Sequence, residues 1–226
     1  MIDQMKKPIK NIKPRLLLLF SMIINVHAFA QDKTMVADIS DKGKFEVMNR
    51  QLSIIKQDNK TVVHLNSKEN NGIAWIKDLK FEKGIIEFDV KGKDVMQQSF
   101  VGIAFHGMND STYDAVYFRP FNFQSPDTAR KNHSVQYISM PKYDWYMLRQ
   151  NFTGVYENAL TSAISADAWF HAKIIVDADN IKVFVNNDVK PSLVIHPLNN
   201  YATGKIGFWV GNNAEGDFSN LSIQNK

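Results

Sequence analysis

Apolar and polar residues alternate along many short segments of this chain, with the period of two that β-strands produce. In the segment DAVYFRPFNF, residues 114–123, Val116 and Phe118 point to one side, and Tyr117 and Arg119 point to the other. Segments rich in Val, Ile, Phe and Tyr recur along the chain, at residues 52–55, 61–65, 73–76, 85–90, 99–106, 114–123, 134–140, 169–177, 181–186, 193–196, 204–211 and 217–223. The pattern predicts strands that each have one core face.

Clusters of Asn, Asp, Gly and Lys, such as NSKENNG and NNDVKP, separate these segments and are typical of tight turns. No long amphipathic helix is predicted, although SPDTAR and NALTSAISADA each have room for a single helical turn. Regularly spaced strands without intervening helices favour an all-β fold, and specifically an antiparallel β-sandwich.

The first 30 residues have the pattern of a secretory signal peptide. Residues 6–15 are basic, residues 16–26 are apolar, and AFA at 28–30 supplies the small residues of a cleavage site. We expect cleavage near Ala30, a single domain over residues 31–226, and a periplasmic or secreted bacterial protein. The apolar run is too short for a permanent span, so no integral membrane span is expected after cleavage.

Charge and cysteine content exclude several classes of function. Residues 1–30 hold five of the 27 Lys and Arg residues and one of the 23 Asp and Glu residues, so the mature chain has 22 of each and no net charge. It therefore lacks the basic surface of a protein that binds nucleic acid. The chain contains no cysteine, which excludes a thiolate nucleophile and a cysteine-ligated zinc site.

Small residues share strand faces with large polar and aromatic ones. The segment FVGIAFHG places Gly102 and His106 on one face, and GKIGFWVGN places Gly207 and Trp209 on one face. Glycine weakens a strand unless something approaches the backbone closely. The pattern predicts a floor of small residues from which aromatic and polar side chains rise.

Such a surface suits a sugar, because the C–H groups of a pyranose stack on Trp209 or Tyr117 and its hydroxyls form hydrogen bonds with polar side chains. The alternative is structural: Arg119 pairs across strands with Glu87 or Asp89. The segment SMPKYDWYMLRQNFTGVYE, residues 139–157, adds Trp145 and Arg149 as contacts at the rim, or else forms a lid packed on the sheet.

Three segments together resemble a known family: FVGIAFHGMNDSTYDAVYFRPFNF, HSVQYISMPKYDWYMLR and GKIGFWVGNNAEGDFSNLSI. They are similar to the 3-keto-disaccharide hydrolase domain family within the concanavalin A-like lectin and glucanase superfamily, over nearly all of residues 40–224. The resemblance implies a concanavalin A-like jelly roll that binds or cleaves glycosides on its concave face. The superfamily mixes enzymes with lectin-like modules, so a non-catalytic carbohydrate-binding module is the alternative.

The residues do not support hydrolysis by two carboxylates, and they leave open an elimination at a 3-keto sugar, the substrate that the family name implies. Laminarinase-type hydrolases carry E-x-D-x-x-E on a strand, but here Glu87 and Asp89 are followed by Gly92 at the last position. A ketone at C3 of the sugar acidifies the hydrogen at C2, so His106 or Glu87 could remove it while Arg119 stabilises the enolate.

The resulting hypothesis names nine site residues and a carbohydrate or glycoside ligand. The candidate catalytic residues are His106, Glu87 and Arg119. The candidate substrate-binding residues are Tyr117, Asn122, Trp145, Arg149, Trp209 and Asp89. No cofactor is expected, and a need for a divalent cation stays open, since His106, His133, Asp110 and Asp114 match no ligand spacing.

Overall fold

The computed structural model describes residues 34–57, 59–201 and 203–226. The signal peptide predicted over residues 1–30 and its cleavage near Ala30 lie outside the described residues. Across these ranges, no helix has the length and apolar character needed to cross a bilayer.

Strands dominate the described part of the chain. In chain order they are β1 (Thr34–Val36), β2 (Phe45–Met48), β3 (Leu52–Gln57), β4 (Lys60–Leu65), β5 (Gly72–Phe81), β6 (Gly84–Lys91), β7 (Val101–Asn109), β8 (Thr112–Phe118), β9 (Val135–Met140), β10 (Glu157–Asn158), β11 (Phe170–Val176), β12 (Ile181–Val185), β13 (Leu193–Ile195), β14 (Gly204–Val210) and β15 (Gly216–Asn225). The helices are α1 (Thr128–Lys131) and α2 (Trp145–Asn151), with short 3-10 helices at Lys42–Lys44 and Pro120–Asn122.

The strands form two antiparallel sheets. Sheet I has the order β13-β12-β11-β6-β15-β4-β3, with β1 paired to β15, and sheet II has the order β10-β9-β8-β7-β14-β5-β2. Neighbouring strands in both sheets are frequently distant in sequence, as in a jelly roll. The predicted all-β antiparallel sandwich is confirmed.

The core lies between the two sheets and is built by the alternation seen in the sequence. Phe208 of sheet II stacks on Phe218 of sheet I with ring centroids 4.6 Å apart. Phe118 meets Phe170 of sheet I edge to face at 5.0 Å. Burial of these large apolar side chains is the main stabilising contribution to the fold. Residues that alternate with them in sheet II consequently face away from sheet I.

The structure refines the sequence expectation at three places. The strand predicted over 114–123 ends at Phe118, because Pro120 lacks a backbone N–H and starts a 3-10 helix. The helical turn expected in SPDTAR is α1, whose N-terminus is capped by the Asp127 side chain. The segment of residues 139–157, where the sequence predicts no helix, contains α2, and the Asp144 side chain caps its first turn by accepting from the N–H of Met147.

Candidate functional site

A pocket of about 690 Å³ lies on the outer face of sheet II. Its polar lining comprises Asn71, Gln97, Arg119, Asn122, Arg130, His133, Asp144, Arg149 and Asn212. Its apolar lining comprises Met96, Phe100, Tyr117, Phe121, Ile138, Met140, Trp145, Trp209 and Gly211. The volume is within the range of ordinary small-molecule sites.

One row of residues crosses sheet II beneath this pocket. Strand register places Trp209 beside Gly102, Gly102 beside Tyr117, Tyr117 beside Gln136, and Gln136 beside Glu157. Because paired residues of neighbouring strands point to the same face, the row is continuous from β14 to β10. Its aromatic end consists of Trp209 and Tyr117, and its charged end is Glu157.

Gly102 brings the two aromatic residues of the row together. The rings of Tyr117 and Trp209, on either side of it, have centroids 4.8 Å apart. A Cβ atom at position 102 would lie 2.1 Å from the carbonyl oxygen of Val116 and 2.7 Å from Cβ of Tyr117. The position therefore requires glycine, and the expected floor of small residues is present at this point.

The aromatic floor is more enclosed than the sequence suggested. Tyr117 is 2% exposed and Trp209 is 3% exposed, so these rings form the base of the pocket and do not project from it. The indole N–H of Trp209 donates to the Tyr113 hydroxyl at 3.2 Å. Burial raises the pKa of Tyr117, so its phenol stays protonated.

Arg119 is a buried cation with several acceptors. Its guanidinium donates to the Tyr117 hydroxyl at 2.7 Å, to the carbonyl of His133 at 2.9 Å, and to Oε1 of Gln136. The same group lies over the Tyr117 ring, 4.9 Å from its centroid. Burial lowers the pKa of Arg119, and these hydrogen bonds together with Glu157, 3.6 Å away, compensate the charge.

Glu157 is the buried carboxylate at the charged end of the row. Its Oε2 accepts from Arg149 at 2.9 Å and lies 2.8 Å from Nδ1 of His133. The contact with His133 is short but bent, so the ring N–H is not aligned with the oxygen. One carboxylate thus faces two guanidinium groups and an imidazole.

The rim of the pocket is formed by α2. Trp145, at the first position of the helix, is 49% exposed and lies beside Arg149, whose guanidinium is 5.4 Å from the indole centroid. The alternative of a buried lid is therefore wrong for Trp145. Asn122 lies deeper in the pocket, where its Oδ1 is buried and has no hydrogen-bond partner within the described residues.

Six of the nine candidate site residues come together in this pocket. They are Tyr117, Arg119, Asn122, Trp145, Arg149 and Trp209. The alternating pattern in the sequence identified three of them, namely Tyr117, Arg119 and Trp209. The structural alternative for Arg119, a pair with Glu87 or Asp89, is wrong because its acidic neighbour is Glu157.

His106 was expected on the pocket face, and this placement is wrong. The register between β7 and β8 shifts after Phe105, and His106 has a left-handed backbone with φ of 53°. This bulge breaks the alternation and turns the imidazole away from the pocket. Its Nδ1 lies 2.9 Å from the buried carboxylate of Asp114, and its Nε2 lies 2.6 Å from the carbonyl of Glu82. Both ring nitrogens are occupied by structural contacts.

Glu87 and Asp89 were also expected on the pocket face, and this placement is wrong too. Both belong to β6 in sheet I, where they alternate with core residues as predicted. Glu87 lies 3.4 Å from Lys173, and Asp89 lies 2.9 Å from Nδ1 of His171. Alternation identifies the outward residues of a strand but not the sheet to which the strand belongs.

The sequence did not predict a place in a sugar site for His133, which lines the pocket, or for Glu157, which contacts His133. His133 follows α1 in a connection, and Glu157 belongs to the two-residue edge strand β10, so neither has a periodic pattern around it. Within the described ranges, no group of three His, Asp or Glu side chains has the arrangement of a metal site.

Comparison with known proteins identifies the family to which this chain belongs. The family model described as 3-keto-alpha-glucoside-1,2-lyase-like domain matches residues 34–224. Comparison with curated proteins gives no significant match.

Solved structures with a similar fold have low sequence identity to this chain. The carbohydrate binding module CBM66 from Bacillus subtilis gives a TM-score of 0.53 at 12% identity, covering 79% of this chain and 97% of the module. A protein described as a native glycosidic hydrolase gives a TM-score of 0.53 at 13% identity, covering 85% of this chain and 96% of that protein. The exoplasmic/lumenal domain of VIP36, in its Ca²⁺/Man3GlcNAc-bound form, gives a TM-score of 0.54 at 10% identity, covering 87% of this chain and 89% of that domain. These likenesses establish the fold.

Replacement of Glu157 by Gln is expected to destabilise the domain. The change leaves Arg119 buried without its carboxylate, and removing one partner of a buried pair typically costs about 3–5 kcal/mol. Urea unfolding followed by tryptophan fluorescence measures the loss. The matched control is Glu46→Gln, which removes an exposed pair with Lys205 and should change the unfolding free energy little. Equal stability of the two variants would contradict the role given to Glu157.

Proposed function

Because the chain belongs to the 3-keto-alpha-glucoside-1,2-lyase-like domain family, we propose that its pocket on sheet II binds a saccharide and cleaves 3-keto glucosides. The observation that carries the proposal is the convergence of aromatic surfaces and hydrogen-bonding side chains in one pocket of about 690 Å³. Sites for polar, uncharged ligands have this combination of apolar walls and a few polar groups that fix orientation.

The aromatic part of the site supports stacking of a sugar ring. Trp145 offers an exposed indole at the rim, and the enclosed pair of Tyr117 and Trp209 closes the base. The C–H face of a pyranose lies flat on such rings, because it is apolar while the ring edge carries the hydroxyls. Trp145 is therefore the residue assigned to stacking.

The polar part supplies both donors and acceptors for sugar hydroxyls. Arg149 keeps part of its guanidinium accessible while it pairs with Glu157. The unpartnered Oδ1 of Asn122 is an acceptor that a ligand hydroxyl can satisfy, and an unsatisfied buried oxygen otherwise costs about 1–3 kcal/mol. The similar folds whose descriptions name carbohydrate binding support a saccharide as the ligand class.

We place this activity outside the cytoplasm, in the periplasm or as a secreted protein, because residues 1–30 have the pattern of a signal peptide. Mass spectrometry of the protein recovered from its native host tests this placement. A mature chain that begins near Gln31 is expected, and one that retains residues 1–30 would contradict export.

Replacement of Trp145 by Ala is expected to weaken saccharide binding. Loss of one stacking surface costs about 1 kcal/mol, or about fivefold in Kd. Calorimetric titration with p-nitrophenyl α-glucoside, which lacks the ketone, measures binding without turnover. The matched control is Trp169→Ala, since Trp169 is a partly exposed tryptophan that lies against Lys60 and does not line the pocket. Equal weakening by both variants would place the sugar elsewhere.

Incubation of the protein with p-nitrophenyl 3-keto-α-glucoside tests cleavage directly. Release of p-nitrophenol faster than in buffer alone is expected, because the ketone makes elimination at C1 and C2 accessible to a single base. If the glucoside binds but the 3-keto form stays intact, the domain is a carbohydrate-binding module without catalysis.

A further inference from the structure

The bulge at His106 and the position of Glu87 in sheet I leave the pocket without either of the bases expected from the sequence. His133 and Glu157 lie together at its charged end. We propose that His133 is the general base that removes the C2 proton of a 3-keto glucoside, with Glu157 orienting its ring; the assignment rests on the proposed function.

The position of His133 suits this role. Its side chain is 27% exposed and lines the pocket, so it is accessible to a ligand while remaining fixed by neighbours. The main chain is held in place because the His133 carbonyl accepts from Arg119 at 2.9 Å and from Asn122 at 3.3 Å. Glu157 lies 2.8 Å from Nδ1, which favours a proton on that nitrogen and leaves Nε2 as the basic one.

The bent contact between Nδ1 and Glu157 is compatible with catalysis. Catalytic hydrogen bonds are often poorly aligned without substrate and tighten when the substrate is bound. A carboxylate that orients the imidazole of a base is a recurrent arrangement in enzymes. Glu157 is accordingly a positioning residue, and His133 is the group that meets the substrate.

Burial, together with the two neighbouring guanidinium groups, keeps His133 unprotonated at neutral pH. Burial lowers the pKa of His133, Arg149 and Arg119 lower it further, and Glu157 opposes them. Its pKa therefore lies below the ordinary value of 6.5. A neutral imidazole accepts a proton, so activity should persist to mildly acidic pH and fall as the pH drops through this pKa.

Other titratable groups at the pocket are less suited to accept a proton. Asp144 caps α2 through the N–H of Met147. Glu157 is buried and neutralised by two guanidinium groups. Tyr117 has a raised pKa and is held as a neutral phenol by burial. Among the described residues that line the pocket, His133 is the neutral base that remains.

His133, Arg149 and Arg119 are sufficient to account for every proton and electron pair in the elimination. The C2–H bond breaks and its proton passes to Nε2 of His133, while the electron pair forms an enolate with the C3 ketone. Arg149 and Arg119 lie beside the pair and supply positive charge for the enolate oxygen. The enolate then collapses to a C1=C2 double bond, the C1–O glycosidic bond breaks, and the departing oxygen takes the proton from His133.

The test compares three proteins: the unmodified chain, His133→Gln and His171→Gln. His171 is the matched control, because it is also a partly exposed histidine beside a carboxylate, on sheet I. Release of p-nitrophenol from the 3-keto glucoside gives kcat, and titration with p-nitrophenyl α-glucoside gives Kd. His133→Gln should lower kcat about 100-fold or more, with little change in Kd or Tm, because general-base catalysis contributes at least this factor.

Several results separate this assignment from the proposed function. His133→Gln with unchanged kcat, in a protein that binds and cleaves, overturns the role of His133 and leaves the proposed function standing. No binding and no release by the unmodified chain overturns both. If His133→Gln does not fold, the test uses the unmodified chain. A kcat that falls below pH 6.5, together with slower p-nitrophenol release from substrate deuterated at C2, supports His133 as the base. A kcat that does not change with pH, without an isotope effect, overturns the assignment.

Discussion

The pocket on sheet II depends on one buried carboxylate. Glu157 compensates the positive charge of Arg119, pairs with Arg149 from α2, and lies against His133 from the connection after α1. These groups come from separate parts of the chain, and burying a guanidinium without a carboxylate is costly. The same carboxylate therefore fixes the wall of the pocket, the position of α2, and the chemistry available at the charged end of the row.

Packing of the aromatic end follows from a second constraint, the absence of a side chain at Gly102. Tyr117 and Trp209 touch across it, and the Tyr117 hydroxyl then accepts from Arg119 and donates to Gln136. The aromatic and charged ends of the row are thus connected through direct contacts. A saccharide that stacks on Trp145 at the rim and reaches the floor at Tyr117 and Trp209 would contact both ends at once, and such contacts hold a reacting C–H bond in a fixed orientation.

Strand alternation predicted the sandwich and the outward positions of Tyr117, Arg119 and Trp209, because that pattern is local in the sequence. It could not assign Glu87 to sheet I, since the sheet is decided by long-range strand pairing. It also could not foresee the bulge that turns His106 toward Asp114, because a shift in register leaves no residue pattern that distinguishes it from a regular strand. Glu157 was missed because it lies in an edge strand of two residues, where periodicity has no meaning.

The proposed function requires that a saccharide occupies the pocket above Trp209 and beside Trp145. The chain has four tryptophans, and Trp169 lies outside this pocket, next to β11 of sheet I. Indole N–H resonances recorded during titration with p-nitrophenyl α-glucoside therefore report the site directly. We predict that the resonances of Trp145 and Trp209 shift with a common saturation curve while that of Trp169 stays in place. A shift confined to Trp169, or no shift at any indole, would show that the saccharide does not bind in this pocket.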